Sequence, residues 1–237
     1  MDEPAALTVL PVTGIGEVRP GDEVGALVAE AVARDVRDGD VIVVTQKIVS
    51  KAEDRLVSLD ASDPGAKVRL VEQEAVRVLR RRGDLLITET AHGFVCANAG
   101  VDLSNVAEGT AALLPVDPDR SARRVRGELH RRCGVEVGVV VSDTFGRTWR
   151  RGVTDVAIGC AGVAAVVDLR GTADAGGREL VATELCVADE IAAAAELVMG
   201  KDRGVPVAIV RGVPAAWLRA GSVADEIVRP PGEDLFR

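Results

Sequence analysis

Short apolar runs alternate with amphipathic stretches along most of this 237-residue chain. Mostly apolar runs of this length that stop at turn-forming residues are typical of buried strands. They predict strands at 7–12, 41–45, 85–88, 93–96, 111–116, 136–141, 163–169, 179–185 and 205–210. Apolar residues spaced three and four apart indicate amphipathic helices. That spacing predicts helices at 24–36, 66–82, 119–132 and 187–199.

The order of these elements favours an α+β fold over a doubly wound parallel sheet. Strand-like runs follow one another between 85 and 116, and again between 153 and 185, without a helix between them. Parallel neighbours would need long crossover connections there. We therefore expect mixed or antiparallel sheets with flanking helices. No proline-rich or serine-rich linker divides the chain, so residues 1–237 are predicted to form one unit, with two intertwined subdomains as the alternative.

Composition indicates a core built from aliphatic side chains. Hydrophobic residues make up 47% of the chain but aromatic residues only 2%, so Val, Leu, Ile and Ala must fill the interior. A chain of this length can bury a substantial core without disulfides. The four cysteines lie far apart and form no C-x-x-C pair, which argues against a structural zinc site. We predict buried, reduced thiols in a cytoplasmic protein.

The charge of the chain excludes general nucleic-acid binding, because that function needs a basic face. The net charge is −8 and the isoelectric point is about 5.0. Arginine clusters at 80–82, 123–132 and 147–151 are local exceptions, and the first two are predicted to lie on solvated helix faces. The acidic N-terminal stretch predicts no signal peptide. No apolar run is long enough to predict a membrane span.

Two loops each place a carboxylate directly after an apolar run. Asp102 and Asp143 lie among Gly, Asn, Ser and Thr residues. Mg²⁺ and Mn²⁺ are usually held by one or two carboxylates together with hydroxyls, waters and substrate phosphates. The two aspartates and Thr144 therefore predict a metal ion that carries a nucleotide. Arg147 follows closely, and its guanidinium could clamp phosphate or carboxylate oxygens. The alternative is that both aspartates simply cap turns.

Two further segments fit phosphate binding. Residues 11–21 read P-V-T-G-I-G-E-V-R-P-G between the first predicted strand and the first predicted helix. Glycine there lets backbone N–H groups approach a phosphate, and a plain strand-to-helix turn is the alternative. Residues 45–51 begin where a buried strand ends and present Gln46, Lys47 and Lys51. Lysines at such a point can neutralise phosphate charge, and a solvated helix face is the alternative.

Five runs of sequence together carry a resemblance to a known family. They are L-P-V-T-G-I-G-E-V-R-P-G-D at 10–22, D-G-D-V-I-V-V-T-Q-K-I-V-S-K at 38–51, A-N-A-G-V-D-L-S-N-V at 97–106, S-D-T-F-G-R-T-W-R-R-G at 142–152 and V-A-D-E-I-A-A-A-A-E-L-V-M-G-K at 187–201. With these runs the chain resembles the coenzyme F-420 glutamyl ligase family, including the N-terminal ligase domain of the actinobacterial bifunctional enzymes. Members of that family add L-glutamate to the deazaflavin coenzyme precursor.

The resemblance implies a GTP-dependent ligase. A carboxylate of the precursor is phosphorylated to an acyl phosphate, the glutamate amine attacks it, and GDP and phosphate leave. The implied cofactors are two divalent cations, Mg²⁺ or Mn²⁺, with K⁺ as a further candidate. The implied assembly is a homodimer. Such chemistry needs positioning and charge neutralisation more than a protein nucleophile. This agrees with the absence of a sequence pattern for a catalytic triad around His92 or His130.

The resemblance also implies a set of site residues. Asp102 and Asp143 would hold one metal and Thr144 the second, and Arg147 is a candidate catalytic residue. Lys201 departs from the acidic or amide side chain expected there. A charged lysine does not bind a metal ion, so the second metal site is affected. The residues implied to bind GTP are Ile15, Gly16, Glu17, Val18, Gln46, Lys51 and Asn105.

Two other functions remain open from the sequence. A metal-dependent nucleotide phosphohydrolase or nucleotidyltransferase would use the same two aspartate loops without an amine acceptor. A non-catalytic GTP-binding domain would bind the nucleotide tightly and not turn it over.

Overall fold

The computed structural model describes residues 6–235, in which there are six α-helices and twelve strands. Residues 1–5, on which the signal-peptide prediction partly rests, lie outside the described residues. The strands are β1 (Thr8–Val12), β2 (Val41–Thr45), β3 (Leu56–Ser58), β4 (Ala75–Arg82), β5 (Leu85–Thr90), β6 (Val95–Ala97), β7 (Thr110–Ala112), β8 (Gly138–Gly146), β9 (Val153–Ala161), β10 (Val167–Asp168), β11 (Glu184–Leu185) and β12 (Val207–Arg211). The helices are α1 (Val24–Val32), α2 (Gln46–Ala52), α3 (Ala66–Glu74), α4 (Pro118–Cys133), α5 (Val187–Met199) and α6 (Val223–Glu226).

A five-stranded mixed sheet in the order β1-β12-β2-β8-β9 organises the larger part of the molecule. β2 and β8 run parallel, and the other neighbouring pairs are antiparallel. The Val-rich runs of β2 and β8 are buried on both faces, because helices cover both sides of the sheet. The predicted α+β fold with mixed and antiparallel sheets is confirmed.

Side chains that alternate along each strand supply two separate cores. Ile42 and Val44 point to one face of the sheet, where they pack with apolar residues of α1 and α4. Val41 and Val43 point to the other face, where they pack against α5. The same alternation in β8 sends odd-numbered residues towards α1 and α4 and even-numbered residues towards α5.

The pairing of β8 with β9 contains a bulge that becomes important for the site. Val141 pairs with Gly159, but Ser142 pairs with Ala157, so Ile158 is an extra residue in β9. Beyond the bulge the register continues with Thr144 opposite Asp155. Such bulges are common next to active sites, where they redirect a side chain.

Residues between α2 and α4 form a smaller unit with its own apolar cluster. α3 packs near the three-stranded sheet β4-β5-β6 and the β3-β7 pair. Leu70 and Val71 of α3 bury against Leu86 of β5 and Ala111 of β7. The loop that follows β6 carries Asp102 back towards the central sheet. Whether the two parts behave as subdomains of one unit stays a prediction.

The predicted helix at 66–82 is wrong in its second half. α3 ends at Glu74, and the next residues form the edge strand β4, so the arginines at 80–82 lie on a strand rather than a helix. In Val76-Arg77-Val78, apolar and charged residues alternate, and this pattern favours a strand once β5 is available to pair. Local periodicity alone did not distinguish the two structures.

Other boundaries differ as well. The predicted strands at 163–169 and 179–185 shorten to the two-residue strands β10 and β11. Val163 and Ala165 are fully buried, but they pack against α5 from a loop instead of joining a sheet. The strands β3 and β9 and the helix α2 were not predicted.

The cysteine and membrane predictions can be compared with the structure directly. None of the four cysteines is in a disulfide; Cys96 and Cys160 are buried, whereas Cys133 and Cys186 are half-buried. Burial raises the pKa of the Cys96 and Cys160 thiols to about 12. Within residues 6–235, no helix has the length and apolar character needed to span a bilayer.

Candidate functional site

A cleft of about 460 Å³ opens at the edge of the central sheet where β2 ends. The loop between β1 and α1 forms one wall, α2 forms the floor, and the segment after α5 forms the opposite wall. Of the seven residues that the resemblance assigns to GTP, the cleft is lined by Ile15, Gly16, Glu17, Val18, Lys51 and Asn105. Gln46 is absent from this lining.

Local backbone geometry explains how these segments reach the cleft. Gly14 has a φ of +87°, in the left-handed region that glycine adopts without strain, and it turns the chain out of β1. Gly200 ends α5 with a φ of +63°, so that Lys201 projects from the helix end. Asn105 comes from the smaller unit, and its side chain donates a hydrogen bond to the Lys201 carbonyl at 3.4 Å.

Two lysines of α2 bring positive charge to the site. α2 begins directly after β2, and the spacing of four places Lys47 and Lys51 on the same helix face. Lys51 is only 8% exposed, and its ammonium donates to the Glu17 carboxylate at 2.5 Å. Lys47 donates to Asp102 at 2.6 Å and to Ser104 at 2.7 Å. The alternative of a solvated helix face is therefore wrong for both lysines.

Gln46 lies beneath the cleft rather than in its wall. Its side chain is 1% exposed, and its carbonyl accepts a hydrogen bond from Ser50 Oγ at 2.5 Å. The amide nitrogen has no hydrogen-bond partner among the described residues. A direct side-chain contact with a nucleotide is not supported by this geometry, and the assignment of Gln46 stays a prediction.

Asp102 lies close enough to Asp143 for its charge to raise the pKa of Asp143, although 41 positions separate them in the chain. Asp102 caps its own turn by accepting from the Ser104 N–H at 2.7 Å, and it also pairs with Lys47. Turn capping and a binding role are therefore compatible for this residue. Burial acts to raise the pKa of Asp102, but the hydrogen bonds from Lys47 and Ser104 outweigh burial and lower it.

The carboxyl of Asp143 has a strongly perturbed pKa. Burial raises the pKa to about 7. The hydrogen bond from the Thr144 N–H and the charge of Lys201 act in the other direction, because both favour the ionised carboxylate. The nearby charges of Asp102 and Asp155 add to the rise. Because burial makes this carboxyl costly to ionise, a cation bound beside it would stabilise its charged form.

Asp155 is a site residue that sequence reasoning missed. It is 3% exposed and accepts hydrogen bonds from Ser142 Oγ at 3.0 Å and from Thr144 Oγ1 at 2.5 Å. Lys201 also donates to Thr144 Oγ1, and its ammonium lies 3.8 Å from Asp155. An aspartate within the apolar run of β9 was the available signal, but β9 itself was not predicted.

Strand β8 divides the acidic residues into two groups. Neighbouring side chains point to opposite faces of a strand, so Asp143 faces the side of Asp102 and Lys47, whereas Thr144 faces Asp155 and Lys201. We call these the Asp102–Asp143 pair and the Thr144–Asp155 pair. The first has a lysine from α2 beside it, and the second has a lysine from the end of α5.

The two pairs differ in how well they fit a divalent cation. Among residues 6–235, no three His, Cys, Asp or Glu side chains are grouped as a metal site. Asp102 and Asp143 nevertheless offer two hard oxygen donors, which fit Mg²⁺ or Mn²⁺ once the Lys47 ammonium moves off Asp102 and phosphate and water complete the shell. The Thr144 hydroxyl is already bonded to both Asp155 and Lys201. A second divalent ion does not fit there while the Lys201 ammonium remains.

Within residues 6–235, the Arg147 side chain forms no ion pair or hydrogen bond with an acidic residue of the site. It lies in the loop between β8 and β9, where its guanidinium donates to the Arg151 carbonyl at 3.2 Å. Its predicted role as a catalytic residue is not supported by this position.

Comparison with known proteins identifies the family. The sequence profile of the F420-0:gamma-glutamyl ligase family matches residues 14–212, a range that contains the cleft and both acidic pairs. The chain belongs to this family. The resemblance carried by the five sequence runs is thereby confirmed, and so is the prediction of an enzyme of the ligase class.

Relatives align over almost the whole chain. A protein of Methanothermobacter thermautotrophicus, named coenzyme F420:L-glutamate ligase, is 41% identical over 98% of this chain and 99% of its own length. A protein of the same name from Methanopyrus kandleri is 44% identical over 98% of each chain. A third, from Archaeoglobus fulgidus, is 41% identical over 97% of this chain and 96% of its own length.

Proposed function

We propose that this protein joins L-glutamate to the deazaflavin precursor F420-0 and uses GTP as the phosphate donor. One observation supports this proposal most directly. A cleft with a buried lysine in its floor opens beside two carboxylates that fit a nucleotide-bound cation. The names of the relatives supply the two substrates.

The nucleotide would lie in the cleft with its phosphates towards α2. Backbone N–H groups of the loop at 15–18 would contact the phosphates, and Lys51 would neutralise their charge. Asn105 would contact the nucleotide from the opposite wall. Because Lys51 forms an ion pair with Glu17, nucleotide binding would exchange one anionic partner of Lys51 for another.

Asp102 and Asp143 would hold one divalent cation, which would neutralise and orient the terminal phosphate when bound. Lys47, which pairs with Asp102 in the described structure, would move its ammonium to the same phosphate. At the Thr144–Asp155 pair, the ammonium of Lys201 would take the place of a second divalent ion.

The reaction has two group-transfer steps. A carboxylate oxygen of F420-0 attacks the terminal phosphorus of GTP, the bond to the bridging oxygen breaks, and GDP leaves. The amine of L-glutamate then attacks the carbonyl carbon of the acyl phosphate. Inorganic phosphate leaves, an amide forms and one proton is released. The protein contributes positioning and charge neutralisation to both steps.

Mass spectrometry tests this proposal. A reaction that contains the protein, GTP, Mn²⁺, L-glutamate and F420-0 is expected to yield a product heavier by one glutamyl residue. GDP release should require both acceptors. GDP release without either acceptor would instead indicate a phosphohydrolase, and GTP binding without turnover would indicate a non-catalytic domain. The homodimer implied by the resemblance stays a prediction, which light scattering after size-exclusion chromatography would test.

A further inference from the structure

The loop between β8 and β9 exposes an unusual side chain. We call residues 146–152 the Trp149 loop. Trp149 is 90% exposed and has a φ of +67°, in the left-handed region that bulky residues rarely adopt. An indole in water forgoes burial, and a strained backbone adds to that cost. A residue with both features is explained more readily by a ligand that covers it than by folding.

Three arginines lie within two residues of this indole in the sequence. Arg147, Arg150 and Arg151 are all exposed, and within residues 6–235 none of them forms an ion pair with an acidic side chain. The Arg147 guanidinium bonds the Arg151 carbonyl, and the Arg150 N–H bonds the Arg147 carbonyl at 3.3 Å, so the loop is closed on itself. In a chain of net charge −8, this is a local concentration of positive charge next to an exposed aromatic side chain.

The strand order places this loop beyond the Thr144–Asp155 pair, on the side away from most of the cleft. The cleft lies over the half of the sheet formed by β1, β12 and β2, whereas the Trp149 loop joins β8 and β9 at the other end of the strand order. Thr144 and Asp155 lie two register steps before Gly146 and Val153, where the loop begins. Two steps along a strand span roughly 7 Å.

In-line phosphoryl transfer needs the acceptor and the leaving group on opposite sides of the phosphorus. With GTP in the cleft, the acceptor carboxylate must therefore approach from the side of β8 and β9. A planar, acidic acceptor that reaches the acidic pairs from this side would pass beside the Trp149 loop.

We propose that the Trp149 loop binds the deazaflavin precursor. The indole of Trp149 stacks on the flat deazaflavin ring, and Arg150 and Arg151 bind anionic groups of the same molecule. This inference rests on the proposed function, and it adds a binding site for the acceptor outside the nucleotide cleft. Trp149 is in this view a specificity residue and takes no part in the bond changes.

Direct binding of F420-0, measured by equilibrium dialysis without GTP, tests this site. Trp149→Ala is expected to weaken binding about tenfold, a value typical of losing one stacked aromatic. Trp149→Phe should retain most of the affinity. Trp149→Gly, which fits the left-handed backbone without strain, should weaken binding as Ala does, so that the loss is due to the ring. Arg150→Ala combined with Arg151→Ala should also weaken binding.

Two controls make the result specific. The affinity for GTP should change less than about twofold in every loop variant, because the cleft lies over the other half of the sheet. Arg34→Ala removes an exposed arginine just beyond the end of α1, near the opposite edge of the sheet, and should leave F420-0 binding unchanged.

The outcomes separate this inference from the proposed function. If the wild-type protein neither binds nor glutamylates F420-0, both are wrong. If the wild type does both and Trp149→Ala binds F420-0 with wild-type affinity, only the Trp149 loop site is wrong. An equal loss of affinity for F420-0 and GTP in Trp149→Ala would also overturn the site, because the loop would then act on the whole protein.

Discussion

Asp143→Asn should stabilise the metal-free protein while it abolishes function. In the folded protein burial raises the pKa of Asp143 from its ordinary value of 3.8 to about 7. The folded state therefore binds this proton more tightly than the unfolded state does. Between pH 3.8 and about pH 7 the unfolded chain has lost this proton while the folded protein keeps it. The free energy of unfolding therefore falls as the pH rises, and the full loss of stability is present above about pH 7.

The size of this cost follows from the pKa difference. A rise from 3.8 to about 7 corresponds to an upper bound of about 4 kcal/mol at pH 8. Water penetration and relaxation around a half-buried carboxyl reduce this value, and Asn provides a neutral group of similar shape. We therefore expect Asp143→Asn to raise the free energy of unfolding by about 2 kcal/mol above pH 7.

Urea unfolding in EDTA at several pH values between about 5 and 8 measures this effect. The stabilisation should grow with pH and become constant above about pH 7. Asp102→Asn is the matched control with the opposite sign, because its pKa is lowered and its loss leaves Lys47 without its carboxylate partner. It should destabilise the protein over the same range. An Asp143→Asn variant that is less stable than wild type at pH 8 would refute the reasoning.

Three further predictions concern activity and metal binding. In a double-mutant cycle of kcat/KM with Asp102→Asn and Asp143→Asn at saturating Mn²⁺, the losses should not add, because either change disables the same ion; additive losses would place them at separate sites. Lys51→Ala should raise the KM for GTP about tenfold, because the contact of a largely buried ammonium with phosphate is lost; an unchanged KM would leave Lys51 without a nucleotide role. Lys201→Gln should increase the Mn²⁺ bound per chain, counted by electron paramagnetic resonance, from about one to about two, because the amide removes the charge that excludes the second ion; an unchanged count would contradict our interpretation of Lys201.

Much of the central sheet could be predicted because its strands carry a strong local signal. β2 and β12 are apolar except at their last residue, and turn-forming residues come shortly before each of them. β9 gave a weaker signal, because Thr154 and Asp155 interrupt its apolar pattern near the start. Without β9 the register that brings Asp155 opposite Thr144 could not be foreseen. Register depends on pairing between distant segments and not on local sequence.

The aspartates of the candidate site could be predicted from the sequence, whereas the roles of its lysines and of Gln46 could not. Polar residues that follow two apolar runs identified Asp102 and Asp143, but the prediction of a loop is wrong for Asp143, which lies inside β8 and pairs with Val156 of β9. The roles of Lys47 and Lys51 could not be decided from the sequence, because burial by the smaller unit and the Gly-rich loop determines them. Gln46 fits the sequence pattern for a ligand equally well, yet it lies under the cleft.

The bulge in β9 determines which side chains of β8 and β9 lie opposite one another. With Ile158 accommodated as an extra residue, Thr144 faces Asp155. In a bulge-free hairpin of the same sequence, Thr144 would face Val156 and the aspartate would pair with Phe145 on the opposite face. Anyone who transplants this motif into another protein must therefore copy the irregularity along with the side chains. In an alignment, a one-residue gap at this point would show whether Thr144 and Asp155 can lie opposite one another.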